Sequence, residues 1–142
     1  MKQEPLVIER TFNAPSSRVW EAITEKEKMK EWYFDLAEFK PEVGFEFSFT
    51  AGDEKKSYLH ICRITEIEPG KKLTYSWQYE GDPGISYVTF ELIPKGDKTT
   101  VKLTHAGLEN FSPDNPDLAR HNFERGWNEI IGVSLKEFVE KS

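Results

Sequence analysis

The chain has 142 residues, the size of one domain, and reads as a single unit over 1–142. Its formal net charge of -6 disfavours capture by phosphate backbones or anionic lipid surfaces, so no nucleic acid is expected as a partner. Cys62 is the one cysteine, which excludes an intramolecular disulfide and a cysteine-based zinc cluster.

The first residues lack the apolar run of a leader, and no stretch approaches the ~18 apolar residues of a membrane span. No membrane insertion and a cytoplasmic location are therefore expected. Leu6, Ile8, Arg10 and Phe12 then alternate with Val7, Glu9 and Thr11, predicting a strand that ends at the turn Asn13-Ala14-Pro15. Ser16 and Ser17 open a short helix with Val19, Trp20 and Ile23 on one face. Thr24-Glu25-Lys26-Glu27 has the Ser/Thr-x-x-Glu spacing of a capping box, so a second short helix is expected there, turning Met29 and Trp32 inward.

From there to about residue 106 the period becomes two, broken by turn signals at Val43-Gly44, Gly52-Asp53, Pro69-Gly70, Asp82-Pro83-Gly84 and Lys95-Gly96-Asp97. Phe45, Phe47 and Phe49 share one face, as do Leu73, Tyr75, Trp77 and Tyr79, then Val88, Phe90 and Leu92, then Val101, Leu103 and His105. The pattern predicts an antiparallel meander with one apolar and one wet face. Tyr58 to Ile67 is less regular, which suggests a bulge or burial on both faces. The run Asp53-Glu54-Lys55-Lys56 reads as a solvated hairpin tip.

After Gly107 a loop leads to Asn115-Pro116-Asp117, where an Asn cap, a Pro at the first helical position and an acidic first turn announce a helix. Little interrupts it before Lys141. Phe123, Trp127, Ile130, Ile131, Ser134, Leu135 and Phe138 fall on one side of it, the side expected to face the sheet. Gly126 and Gly132 each cost about 1 kcal/mol relative to Ala inside a helix, so a close backbone approach or a bend is expected at them. The fold class is α+β: an antiparallel sheet of six to seven strands, curved around a long C-terminal helix, with two short helices after the first strand.

The ordered set Phe12-Asn13-Ala14-Pro15 through Val19-Trp20-Glu21-Ala22-Ile23, Glu31-Trp32, Val43-Gly44-Phe45-Glu46-Phe47, Ile64-Thr65-Glu66-Ile67-Glu68-Pro69, Leu73-Thr74-Tyr75-Ser76-Trp77, Val88-Thr89-Phe90-Glu91-Leu92, Leu103-Thr104-His105-Ala106-Gly107-Leu108 and Gly126-Trp127 resembles the helix-grip superfamily. That superfamily is also called START-like or SRPBCC and includes START lipid-transfer domains and the birch-pollen allergen. More narrowly, the chain is similar to bacterial relatives of the activator of heat-shock protein 90 ATPase. The resemblance implies a ligand space between sheet and long helix. It also implies a choice of activities, because ligand carriers, aromatase/cyclases, hormone receptors and a chaperone regulator share the fold.

Taken singly, each inward ring reads as ordinary core. As a set, Trp32, Phe47, Phe49, Tyr58, His60, Tyr75, Trp77, Phe90, His105, Phe123, Trp127 and Ile131 are the candidate lining, because several carry polar tips that need partners inside a dry interior. The expected partner is a small apolar molecule, such as a lipid, sterol, flavonoid or polyketide-like compound. Contact with a chaperone is the alternative, and a cyclase-like reaction using His105 as acid or base is the third. His105 also reads as a histidine hydrogen-bonded at the sheet rim, with no carboxylate partner placed to tune it. Cys62 and His60 project to the same side of one strand, and Cys62 reads as a core filler. His60, His105 and His121 come from separate elements without a ligand pair, so neither a metal nor another cofactor is expected. Nucleotide, kinase and hydrolase fingerprints are absent, leaving little to mark the chain as an enzyme.

Overall fold

Residues 4–33, 38–52, 57–82, 84–111 and 120–140 are described by the computed structural model. The tip at 53–56, the turn residue Pro83 and the helix start at Asn115-Pro116-Asp117 lie outside them. The alternating runs form β1 (Leu6–Phe12), β2 (Glu46–Gly52), β3 (Ser57–Glu68), β4 (Lys72–Tyr79), β5 (Ser86–Lys95) and β6 (Lys98–Ala106). They make one antiparallel sheet in the order β1-β6-β5-β4-β3-β2, a meander from β2 to β6 with β1 added beside β6. Glycines at positive φ, including Gly70 and Gly96, turn the chain between strands.

The irregular run in β3 has its expected cause. Its register against β4 shifts between Ile64 and Glu66, so one extra residue re-aims the strand there; ahead of it Cys62 and Ile64 are buried on one face, with Leu59 and Ile61 half-buried on the other. One expectation about the faces is corrected. The outer face is not uniformly wet, because Thr74, Ser76 and Thr100 are also buried. Their hydroxyls bond across strands, Thr74 Oγ1 to Thr89 Oγ1 at 3.1 Å and Thr11 Oγ1 to Thr100 Oγ1 at 2.8 Å.

Helix α1 spans Ser16–Thr24 and α2 spans Lys26–Trp32. The capping box does not form. Thr24 Oγ1 instead donates back to the Trp20 carbonyl at 2.7 Å, as a Thr at the end of a preceding helix readily does, and Glu25 becomes the N-cap of α2 without a side-chain bond. Met29 and Trp32 are buried as the pattern required.

The C-terminal helix covers the apolar face, giving the helix-grip arrangement. It runs as α3 (Arg120–Glu129), a π-helical stretch (Ile130–Leu135) and α4 (Lys136–Glu140). Its buried residues are Phe123, Trp127, Ile131, Leu135 and Val139, a strict spacing of four. In an uninterrupted α-helix that spacing drifts around the axis; the wider π turns, bonded i to i+5, hold it on one face. This corrects the end of the expected inward face: Val139 is 0% exposed, whereas Ser134 and Phe138 are only half-buried. A close approach does not account for the helical glycines either. A Cβ at Gly126 would meet nothing within 4 Å, and one at Gly132 would meet Arg10 Nε at an ordinary 3.5 Å.

Candidate functional site

Strands β2 to β6 and the C-terminal helix bring most of the candidate residues into one continuous set of ring contacts. Phe47 meets Tyr75 edge-on at 5.1 Å, Phe49 meets Trp77 at 5.7 Å, and Trp77 reaches across to Trp127 on the helix at 5.5 Å. Phe90 stands edge-on to Trp127 at 6.2 Å. Period two aims these rings at the helix from the strands, and the spacing of four aims Trp127 back at them. Phe123 packs edge-on to His105 at 5.2 Å and stacks on Phe111 at 5.8 Å. Tyr58 and His60 gather around Tyr79 near the end of the sheet where β3 starts. Trp32 lies apart from the strand rings: its indole N–H donates to the Ala22 carbonyl at 2.7 Å, joining α2 to α1. Ile131 is fully buried in the π-helical stretch.

The polar tips have specific partners. Trp127 Nε1–H donates to His105 Nδ1 at 3.0 Å. An indole nitrogen only donates, so Nδ1 accepts and the proton sits on Nε2, which donates to Ser86 Oγ at 2.8 Å. Ser86 in turn donates to the Trp77 carbonyl at 3.1 Å. The sequence placed His105 at a sheet rim; it is 0% exposed, bolted between strand and helix, and burial pushes its pKa down to about 3. A neutral imidazole with both nitrogens engaged is a poor starting point for proton transfer. Trp77 Nε1–H donates to the Tyr79 hydroxyl at 2.9 Å, and His60 Nδ1–H to the Tyr58 carbonyl at 2.9 Å. Burial also lowers the His60 pKa, against the pull of carbonyls at Tyr58 and Phe49. Cys62 is fully buried, and desolvation raises its thiol pKa, so no thiolate forms there.

Sequence reasoning missed Tyr33. The helical period pointed Trp32 inward and gave no reason to expect its neighbour there too, yet the Tyr33 hydroxyl lies 2.7 Å from that of Tyr75. Burial raises both phenol pKa values well above the usual, so both keep their protons. Ser86 was also missed. Its parity with Val88 and Phe90 on the inward face of β5 was the available signal.

Two surface grooves formed by described residues lie elsewhere and contain none of the candidate lining. One, of about 510 Å³, runs along the outward side of α3 past His121, Arg125 and Val133; the other, of about 350 Å³, lies on the outer sheet face beside Arg63, Gln78 and Tyr87. Among the described residues no three His, Cys, Asp or Glu side chains converge as metal ligands, and no helix is long and apolar enough to cross a membrane.

With this geometry in place, the family model described as activator of Hsp90 ATPase homolog 1-like protein matches residues 13–140. The chain belongs to this family. Among solved structures, the protein MLL2253 from Mesorhizobium loti is 26% identical over 97% of this chain and 98% of its own, with a TM-score of 0.78. CalU16 from Micromonospora echinospora is 25% identical over 95% of this chain and 73% of its own, with a TM-score of 0.69. The Aha1 dimer from Colwellia psychrerythraea shares the fold at 20% identity, covering 97% of each chain with a TM-score of 0.72. No curated protein matches the sequence. Membership of the Hsp90 activator homolog family fits either a ligand-binding role or a role like that of Aha1.

Proposed function

We propose that the protein binds a small, mostly apolar molecule between the inner face of its sheet and its C-terminal helix, in the cytoplasm and without catalysing a reaction on it. The observation that carries this reading is the concentration of aromatic rings with polar tips on the two facing surfaces. Rings with hydroxyl and N–H groups turned inward supply apolar contact with a few orienting bonds, the chemistry of small-molecule sites. The lining is formed by the ring set from Phe47 to Trp127, with Tyr58, His60 and Phe123 toward one end. Titration with a panel of lipids, sterols and planar aromatics, followed by NMR, tests it. Saturable shifts at the Trp77 and Trp127 indole N–H signals are expected; a panel that leaves both unmoved overturns the reading.

Family membership supports a second reading, a module that contacts a chaperone of the Hsp90 class. It predicts a several-fold rise in the bacterial chaperone's ATPase rate on addition of the protein. An unchanged rate at saturating protein removes it.

A further inference from the structure

Tyr33 closes α2, its N–H bonded to the Met29 carbonyl at 2.7 Å, and its ring stacks near-parallel on both Trp32 and Trp127, with centroids 5.0 and 6.4 Å away. Phe49 tilts against it at 6.0 Å, and its hydroxyl meets that of Tyr75. Tyr75 and Trp127 are 1% and 2% exposed, yet Tyr33 itself is half-buried. One ring therefore reaches from the surface to the middle of the wall. The bond it makes there joins two side-chain hydroxyls, its own at the end of a seven-residue helix and that of Tyr75 on β4.

We infer that the slot filled by the Tyr33 ring is the seat for the ligand, and that the ligand class is a planar phenol, whose ring takes the place of Tyr33 against Trp127 and whose hydroxyl takes its place on Tyr75. This rests on the ligand-binding reading above and narrows it. A fatty acyl chain has no flat face to stack on an indole, and a hydrocarbon ring leaves the Tyr75 hydroxyl without a partner in a dry site. A phenolic ring matches both surfaces because it is what the protein already places there. The bound ligand and the Tyr33 side chain are then competitors for one place, and the resident ring lowers the apparent affinity of the unmodified protein.

Calorimetric titration with naphthol and with naphthalene tests this on the intact chain and on variants. Tyr33→Ala is expected to bind naphthol about tenfold more tightly than the unmodified protein, and to prefer naphthol over naphthalene by about fivefold, the worth of one net hydrogen bond. In Tyr33→Ala/Tyr75→Phe that preference disappears while naphthalene still binds. Tyr33→Leu, which keeps apolar bulk, should show the same preference with weaker binding and serves if the Ala variant does not fold. Equal affinity for the two compounds in Tyr33→Ala overturns the phenol class and leaves ligand binding standing. Affinity unchanged by removing the Tyr33 ring overturns the seat. Absence of binding by either compound in every variant, together with a silent ligand panel, overturns the ligand-binding reading itself.

Discussion

Three side chains, Trp127, His105 and Ser86, connect the helix to β6 and β5 through a single directional chain of hydrogen bonds. Its direction is set by chemistry: the indole donates, so the imidazole must be the neutral form with its proton toward Ser86. The sequence showed that His105 faces inward, because it continues the Val101 and Leu103 period; it could not show the bonds, which come from residues 19 and 22 positions away. A pH dependence follows. The unfolded chain protonates this histidine near 6.5, whereas the folded chain resists until about 3. Its stabilising contribution is therefore complete above about pH 6.5 and falls as pH drops toward about 3, by ~1.4 kcal/mol per unit. His60, also depressed by burial, acts in the same direction. Urea midpoints measured at about pH 7 and about pH 5 should drop for the unmodified protein. The drop should be smaller for His105→Gln, which is less stable at neutral pH but carries no such proton. Equal drops in the two proteins would show that His105 is not held neutral by folding.

At the level of elements, two glycines, Gly126 and Gly84, have opposite structural meanings. Gly126 lies in α3 with open space where a Cβ would stand. Gly84 lies after β4, where a Cβ would sit 2.3 Å from the Asn110 carbonyl oxygen. That contact joins the β4–β5 connection to the 3-10 turn at Leu108–Asn110, and Asn110 reinforces it by donating to the Ile85 carbonyl at 3.0 Å. Gly126→Ala is accordingly expected to stabilise the protein by about 0.5–1 kcal/mol through helix propensity and a less flexible unfolded chain. Gly84→Ala should destabilise it by about 2–3 kcal/mol, since backbone must move to admit the methyl group. Thermal midpoints for the two variants check both signs, and a loss at Gly126 would mean that the helix needs the glycine for something other than space. The sequence flagged Gly126 and missed this use of Gly84, because a helical pattern exposes an interruption while a turn hides one among ordinary turn residues. The π-helical stretch was hidden for the same kind of reason. Its trace is the four-residue spacing from Phe123 to Val139, which a 3.6-residue reading of the same chain assigns to Phe138 instead.

At the scale of the molecule, the meander and the covering helix were legible because period two and period 3.6 each bury a face only in the matching geometry, whereas the place of β1 beside β6 was not. Which rings would meet was only partly legible. Periodicity gave the inward side of each strand, but the placement of Tyr33 depends on where α2 ends against the sheet, a tertiary outcome that no local spacing encodes. The connections between distant parts of the chain bear on how it unfolds. β1 pairs with β6, Arg10 on β1 donates to Asn128 Oδ1 at 2.6 Å, the backbone N–H of Asn13 donates to Glu140 at 2.9 Å, and Trp127 is bonded to His105. With Arg120 donating to the Glu4 carbonyl at 2.6 Å, the C-terminal helix is thus tied along its length to both ends of β1, and through His105 to β6. Releasing it exposes the inner rings and leaves the His105 nitrogen without its donor, so no state with a free helix and an intact sheet has favourable contacts to hold it. Trp77 and Trp127 report that interface, while far-ultraviolet circular dichroism reports backbone structure as a whole. Urea unfolding followed by the two signals should give coincident transitions with one midpoint. Tryptophan fluorescence changing at lower urea than the dichroism would show the helix leaving first, and the bonded interface would then not be what makes the molecule a single cooperative unit.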